Sequence, residues 1–172
     1  MIEAVRRIIP SVVTVAAVNA QITALNTIYT TTIGPLPAGR VIDCWDQALQ
    51  DLPKPCIGYT VGWDKNGVAR LQSNQLRKIT VAVFFYIITS PGQTNENALQ
   101  EAAILFEALF NVMDAFPPNG AEQQQLAGVT PVRAIALVTP ADTRSFTLDA
   151  TGAGKVPGIM TSFDCLVYTL TS

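Results

Sequence analysis

The stretch Lys78 to Thr89, KITVAVFFYIIT, constrains the fold more than any other part of this chain. Alternation places Ile79, Val81, Val83, Phe85 and Ile87 on one side of a strand and Ala82, Phe84, Tyr86 and Ile88 on the other. A strand apolar on both faces needs cover on both, so it is predicted to lie at the centre of a sheet. Part of that cover follows at once. After the Pro91-Gly92 turn, with Thr94 or Asn95 as cap, a helix is predicted to run to about Asp114. Its stripe is Leu99, Ala102, Phe106, Leu109, Phe110 and Met113, spaced for one buried face.

The remaining elements are read around this pair. Met1 to Ile9 is predicted as a short amphipathic helix, with Ile2, Val5, Ile8 and Ile9 on one side and Pro10 as stop or kink. Ser11 to Ile33 is rich in valine, isoleucine and threonine, and β-branched side chains suit extended backbone, so this stretch is expected to be extended. Gly34-Pro35-Leu36-Pro37 then breaks it. Arg40 to Leu52 is expected to be a helix, because Val41, Cys44, Trp45, Ala48, Leu49 and Leu52 recur at three- and four-residue steps, with Pro53 and Pro55 ending it. Cys56 to Trp63 reads as a strand, Asp64-Lys65-Asn66-Gly67 as a hairpin turn and Val68 to Leu71 as its return. Pro117-Pro118-Asn119-Gly120 and Gln123-Gln124-Gln125 make a polar connection. Thr130 to Thr139 is expected as a strand, Pro140-Ala141-Asp142 as a turn and Arg144 to Asp149 as a return. The loop Gly152-Ala153-Gly154-Lys155 then precedes a last strand from Ile159 to Leu170. This order predicts one α+β domain over residues 1–172: a mainly antiparallel sheet with one long helix and shorter helices packed on it, and an uncharged extended arm or insertion at about 11–39.

Composition narrows the function. Only 14% of residues are charged, where a soluble domain carries about 25%. The mean hydropathy of +0.30 agrees. A net charge of −2, with basic residues scattered singly or in pairs, does not suit a nucleic-acid binder. There is no histidine, which removes serine–histidine and cysteine–histidine nucleophile pairs and the commonest transition-metal ligand. Cys44, Cys56 and Cys165 each sit in an apolar stretch and read as buried free thiols of a reducing compartment. The uncharged run between Arg7 and Arg40 is too polar, with Pro10, Asn19, Gln21 and Asn26, to read as a membrane span, and it is not expected to be a leader. A chain this poor in surface charge works through surfaces that partners cover.

The motifs that suggest chemistry fail on inspection. Thr151-Gly152-Ala153-Gly154-Lys155 resembles a phosphate loop, but Val156 stands where a hydroxyl is needed and Asp149 where the first glycine belongs. Asp43 and Asp46 could share a helix face as an acid–base pair, yet no basic or nucleophilic partner is near, and a solvated face is the better reading. Tyr59, Trp63, Phe84 and Tyr86 fall on neighbouring strands; base stacking would need more basic residues among them, so a core or subunit interface is expected. No catalytic, cofactor-binding or metal-binding residues are assigned.

The arrangement resembles a known family. MIEAVRRI, DLPKPCIGYTVGW leading into a hairpin, RKITVAVFFYI, the helix NENALQEAAILFEAL and the closing strand FDCLVYTL are similar to phage tail terminator proteins, small α+β proteins of long-tailed bacteriophages. The resemblance implies a ring, usually of six copies, that caps the head-proximal end of the tail tube, stops tube polymerisation and meets the head–tail connector or neck protein. In contractile tails it also meets the sheath. It implies a virion protein assembled in the host cytoplasm, with no enzymatic activity and no cofactor. Ser11 to Gly39 and the longer, glutamine-rich Ala115 to Ala150 depart from the family pattern. Other readings are another virion subunit (tail tube, neck or minor capsid) or a non-viral oligomeric module. The residues expected at a subunit interface are Val13, Val15, Ile22 and Ile28 on the uncharged arm, Asp43 and Asp51, facing Arg70, Arg77 and Lys78 of a neighbour, and Arg144 on a sheet edge. The arm is expected to lie across a neighbour or on the tube, and any lumen around DNA to be neutral or acidic.

Overall fold

In chain order the strands are Val41–Asp43 (β1), Cys56–Arg70 (β2), Leu76–Ile88 (β3), Val132–Ala150 (β4) and Gly154–Leu170 (β5), and the helices are Ile2–Val12 (α1), Val15–Asn26 (α2) and Asn95–Asp114 (α3). These come from a computed structural model that describes residues 2–70, 76–115, 132–150 and 154–170. The five strands form one sheet in the order β1-β2-β3-β5-β4, with β3 at its centre. β1 runs parallel to β2 and every other pair is antiparallel. The α+β class, the central strand and the long helix are as the sequence predicts. The Pro117–Gly120 and Gln123–Gln125 connection lies outside the described residues, as do residues 151–153 of the glycine-rich loop.

All three helices serve one face of the sheet. That face carries Ile57, Tyr59 and Val61 of β2, Val81, Val83, Phe85 and Ile87 of β3, and Phe163 and Cys165 of β5, all buried. Against it pack Val5, Ile8 and Ile9 of α1, Val18, Ile22 and Leu25 of α2, and Leu105, Ala108, Leu109, Val112 and Met113 of α3. Thr94 caps α3 by accepting the Asn97 N–H at 3.3 Å. One stripe residue differs: Leu99 is 58% exposed, and Ala98, Glu101 and Leu105 point inward in its place. Glu101 is buried because both its oxygens are engaged, one by the Ser90 N–H at 2.7 Å and one by the Ser90 hydroxyl at 2.8 Å. It thereby fixes the chain between β3 and α3.

The first correction is at residues 11–33. α1 runs through Pro10 to Val12, and after a short break the chain re-enters helix at Val15 with an axis turned by 45°. The helix continues past Pro10, with the Val13 N–H still donating to the Ile9 carbonyl at 2.8 Å, and the change of axis comes at the 13–14 break. Thr14 caps α2 by accepting the Ala17 N–H at 3.1 Å. Val18, Ile22 and Leu25 then fall on one face and are buried, so packing outweighs the β-branched preference for extended backbone. Beyond Asn26 the chain folds back along α2. Asn26 donates to the Ile33 carbonyl at 2.9 Å and accepts its N–H at 3.1 Å; Asn19 does the same for Leu36 at 2.9 and 2.7 Å. Seven helical residues advance about 10 Å, and three extended residues cover about the same distance. The two asparagines therefore act as matched clamps on residues 33–36. Replacing Asn19 with alanine leaves both Leu36 backbone groups without a partner and is expected to cost about 1–3 kcal/mol in a urea titration. Asn19→Asp keeps the acceptor alone and should fall between; equal stability of all three proteins would contradict the clamp.

The second correction is at residues 40–52, where β1 and a crossing segment replace the predicted helix. The Asp43 carboxylate accepts the Trp45 N–H at 3.1 Å, a local bond that competes with helix. Residues 44–55, with a 3₁₀ turn at Leu49–Asp51, then cross the helix-free face of the sheet. There Cys44 and Leu52 join Cys56, Ile88 and Val156, with Tyr86, Phe146 and Leu148 beside them. Gly58 and Gly158 permit this. A Cβ on Gly58 would meet Leu52 at 3.1 Å and Cys44 at 3.3 Å, and one on Gly158 would meet the Ile87 carbonyl at 2.6 Å and the Phe146 ring at 2.5 Å.

Two hairpin expectations also change. Asp64-Lys65-Asn66-Gly67 lies inside β2 as an irregularity between Trp63, opposite Val81, and Val68, opposite Ile79, so the partner of β2 is β3 and not residues 68–71. Pro140-Ala141-Asp142 is no turn: β4 continues through it along β5, with register shifts on either side of Pro140 absorbing the missing donor. β5 begins at Gly154, five residues earlier than predicted, where φ is +71°.

Candidate assembly surfaces

A sheet of unlike edges leaves unlike surfaces. β4 occupies one edge; Thr143, Arg144 and Ser145 are all exposed, and from Ser145 to Asp149 exposed and half-buried residues alternate. β5 lies inside the sheet between β3 and β4, so of the two edges expected from sequence only Arg144 to Asp149 is at the border. Arg144 is 72% exposed and pairs with Asp142 at 2.8 Å, placing charge on that border as natural edge strands do. The other edge is β1, three residues long. Behind it Arg6 of α1 pairs with Asp43 and stacks over the Trp45 ring at 5.6 Å, leaving Trp45 47% exposed.

Among the described residues, the helix-free face is covered by residues 44–55 around Cys56, Ile88 and Val156. Past the crossing segment, Thr60, Gly62, Phe84 and Met160 are half-buried, with Phe84 lying 3.2 Å from where a Cβ on Gly62 would be. Tyr59 is on the opposite, helix-covered face, buried in the core against Phe85, one of the two placements the sequence predicts for it. The side chain of Trp63 lies outside the described residues.

A third surface lies between α3 and the turn that follows α2. Tyr29 donates to Glu107 at 2.6 Å and Thr31 to Gln100 at 3.1 Å, tying residues 28–31 across α3. The bond to Glu107 and its negative charge push the Tyr29 hydroxyl above its ordinary pKa. Under the turn is an open cavity of about 310 Å³ lined by Tyr29, Thr30, Thr31, Gln100, Ala103, Ile104 and Glu107. Ile28, 72% exposed, and Leu99 lie beside it.

The expected interface residues therefore divide. Val13 and Ile22 are buried in the chain's own core and Val15 packs against it, so none of the three is free to meet a neighbour. Ile28 and Asp51 are exposed. Asp43 is occupied by Arg6 and the Trp45 N–H. Arg70, Arg77 and Lys78 are placed by backbone register only, Arg70 opposite Arg77 and Ala69 opposite Lys78. Leu99 and Tyr29, which sequence reading missed, are the additions; the step from Leu99 to Ala103 marks them only once the helix's inward face is known. Residues 15–26 are not an extended arm: they form α2, whose Val18, Ile22 and Leu25 belong to the core.

Among the described residues no three histidine, cysteine, aspartate or glutamate side chains cluster as a metal site would require. No single described helix is long and apolar enough to cross a membrane. The three thiols are buried and unpaired. No family pattern matches the chain, and no curated protein sequence matches it.

Proposed function

We propose that this chain is a non-enzymatic structural subunit of a long-tailed phage virion, closing into a ring of about six copies at the head-proximal end of the tail. There it ends tube polymerisation and offers its other side to the head–tail connector or neck protein, and in a contractile tail to the sheath. It uses no cofactor and is assembled in the host cytoplasm. The observation that carries this reading is the pair of unlike sheet borders, a 19-residue β4 and a 3-residue β1, in a chain only 14% charged. Two different surfaces meeting on successive copies make a heterologous contact, and a heterologous contact closes into a ring when its rotation allows. The half-covered aromatic strip at Phe84 and the exposed Trp45, Ile28 and Leu99 are further surfaces that assembly would bury. The tail location comes from the sequence resemblance.

The test is solution mass by light scattering over a concentration series, with negative-stain images of the same sample. Discrete rings, or monomers that form rings on added tail tubes, support the proposal. Open-ended filaments would assign the chain to the tube instead. A monomer indifferent to tubes would end both readings.

A further inference from the structure

We propose that β4 of one copy pairs, main chain to main chain and antiparallel, with β1 of the next, so that the ring is built on one continuous sheet with every copy's helices on the same side. The inference rests on the ring reading and names the two borders that would meet.

The direction of the main-chain groups on β4 follows from its neighbour. The Thr89 N–H and hydroxyl both donate to the Pro157 carbonyl, at 3.4 and 2.8 Å, so the main chain of Pro157 faces β3 and not β4. Thr147 is opposite Pro157, and its own N–H and carbonyl therefore point away from β5, off the sheet. Register is unbroken from Asp142 to Ala150, so Thr143, Ser145 and Asp149 point the same way, and all four residues are exposed. Over about 20 Å this border is an unpaired hydrogen-bonding edge. Residues 141–150 contain no lysine or proline to block a second strand, and their one cation, Arg144, is paired with Asp142.

The other border matches it. The Arg40 carbonyl accepts the Ile57 N–H at 2.8 Å and the Cys44 N–H donates to the Tyr59 carbonyl at 2.9 Å, so residues 40, 42 and 44 face β2. The main-chain groups of Val41 and Asp43 then point off the sheet. All of β1 is half-buried, where main-chain groups without a partner are costly. Strand direction selects a second copy as the partner. β1, β2 and β5 run one way and β3 and β4 the other. A copy turned about an axis along the strands therefore brings its β4 antiparallel to β1 without turning the sheet over. The side chains agree. Ile42 at one border and Phe146 and Leu148 at the other are half-buried and pack on the same apolar cluster of the helix-free face. Joining the borders with Ile42 opposite Phe146 makes that cluster continuous from copy to copy, and it sets Val41 opposite Thr147 and Asp43 opposite Ser145.

The test uses the full-length chain and its assembly mass, with tail tubes added if rings need them. Ser145→Pro and Thr147→Pro each remove an N–H that points off the sheet and leave the bonds to β5 intact, and proline is tolerated at such edge positions. Each variant should melt within a few degrees of the wild type and raise the half-assembly concentration at least tenfold. Cross-linking reads the placement. Trp45→Cys combined with Thr143→Cys, treated with a short bismaleimide, should give a ladder of linked copies up to the full assembly, because the same register sets residue 45 opposite residue 143 of the next copy. Either change alone should give no linked copies. Within one chain the two borders are four strand spacings, about 19 Å, apart, beyond the linker's reach. Normal assembly of the folded proline variants would overturn this contact, as would linked dimers from Thr143→Cys alone, which would show β4 paired with β4. Rings seen in either case leave the ring reading standing. A wild type that stays monomeric with and without tubes would overturn both. If a proline variant fails to fold, the cross-link decides, and assemblies without a ladder overturn the contact.

Discussion

Phe85→Ala is expected to lower stability by about 3–5 kcal/mol, the usual cost of emptying an aromatic site in a core. In a domain of this size that corresponds to a fall in Tm of roughly 6–20 °C. Phe85 is fully buried in the C-terminal half of the central strand. Its ring meets Phe163 edge-on at 5.7 Å and Tyr59 at 6.4 Å, so truncation removes contacts on two neighbouring strands at once. The surroundings have little freedom to collapse, because the same layer holds Val83 and Ile87 under the helices. Phe85→Leu keeps most of the volume and should cost distinctly less. A thermal or urea melt of the two variants reads the difference. A loss below about 1 kcal/mol for alanine would mean that this strand is not the centre of the core.

The second large effect is alkaline unfolding. Burial pushes the Cys44 thiol up to about 11 and the Cys56 and Cys165 thiols up to about 12 from an ordinary 9.0, and burial likewise lifts the Tyr59 hydroxyl to about 12. In the unfolded chain the thiols ionise near pH 9, whereas in the folded chain they stay protonated until pH 11–12. Stability is therefore unaffected by these groups below pH 9 and is lost as pH rises from 9 toward 11 and 12. Each thiol lowers the folding constant by roughly tenfold per pH unit over that window. Three thiols from pH 9 to 11 together amount to a factor on the order of 10⁴ to 10⁵, comparable with the whole stability of a marginal domain. Urea midpoints at pH 8, 9, 10 and 11 should be level over the first step and then fall steeply. A chain with all three cysteines changed to alanine should begin lower at pH 8 and lose less between pH 9 and 11. Thiol-reactive reagents should label the native wild type slowly at pH 8 and the urea-unfolded chain fast. Rapid native labelling, or a flat stability profile to pH 11, would contradict this burial.

Two elements were legible because their signals are local and agree with one another. The alternation of residues 78–89 and the capped periodicity of residues 94–114 each need only their own neighbours, and both stand where the sequence puts them. Residues 11–33 and 40–52 were misread in opposite directions for one reason. Valine and isoleucine at helical spacing in α2 satisfy either state locally, and the helix wins because Val18, Ile22 and Leu25 bury in the main core, where α2 packs on α3. Cys44, Leu49 and Leu52 also have helical spacing, yet an open crossing segment delivers them to the second apolar cluster while Asp43 and two prolines oppose the helix. The hairpin signal at Asn66-Gly67 was overruled because β3 offered β2 a longer partner than residues 68–71 could.

The candidate surfaces were less legible still. Val13 and Ile22 look like interface residues in an uncharged run, and the fold buries them; Leu99 looks like core, and the fold exposes it. The choice between inward and outward apolar residues depends on which elements pack, and that is not written in a single stretch of chain. Composition and short-range period are enough for the α+β class, the central strand, the long helix, the absence of histidine chemistry and the shortage of charge. Packing between distant segments sets which apolar residues remain exposed, that β4 and not β5 is the border, and that Arg70 stands opposite Arg77. Those depend on register and on packing between segments far apart in the chain, where a residue's role is set by what covers it.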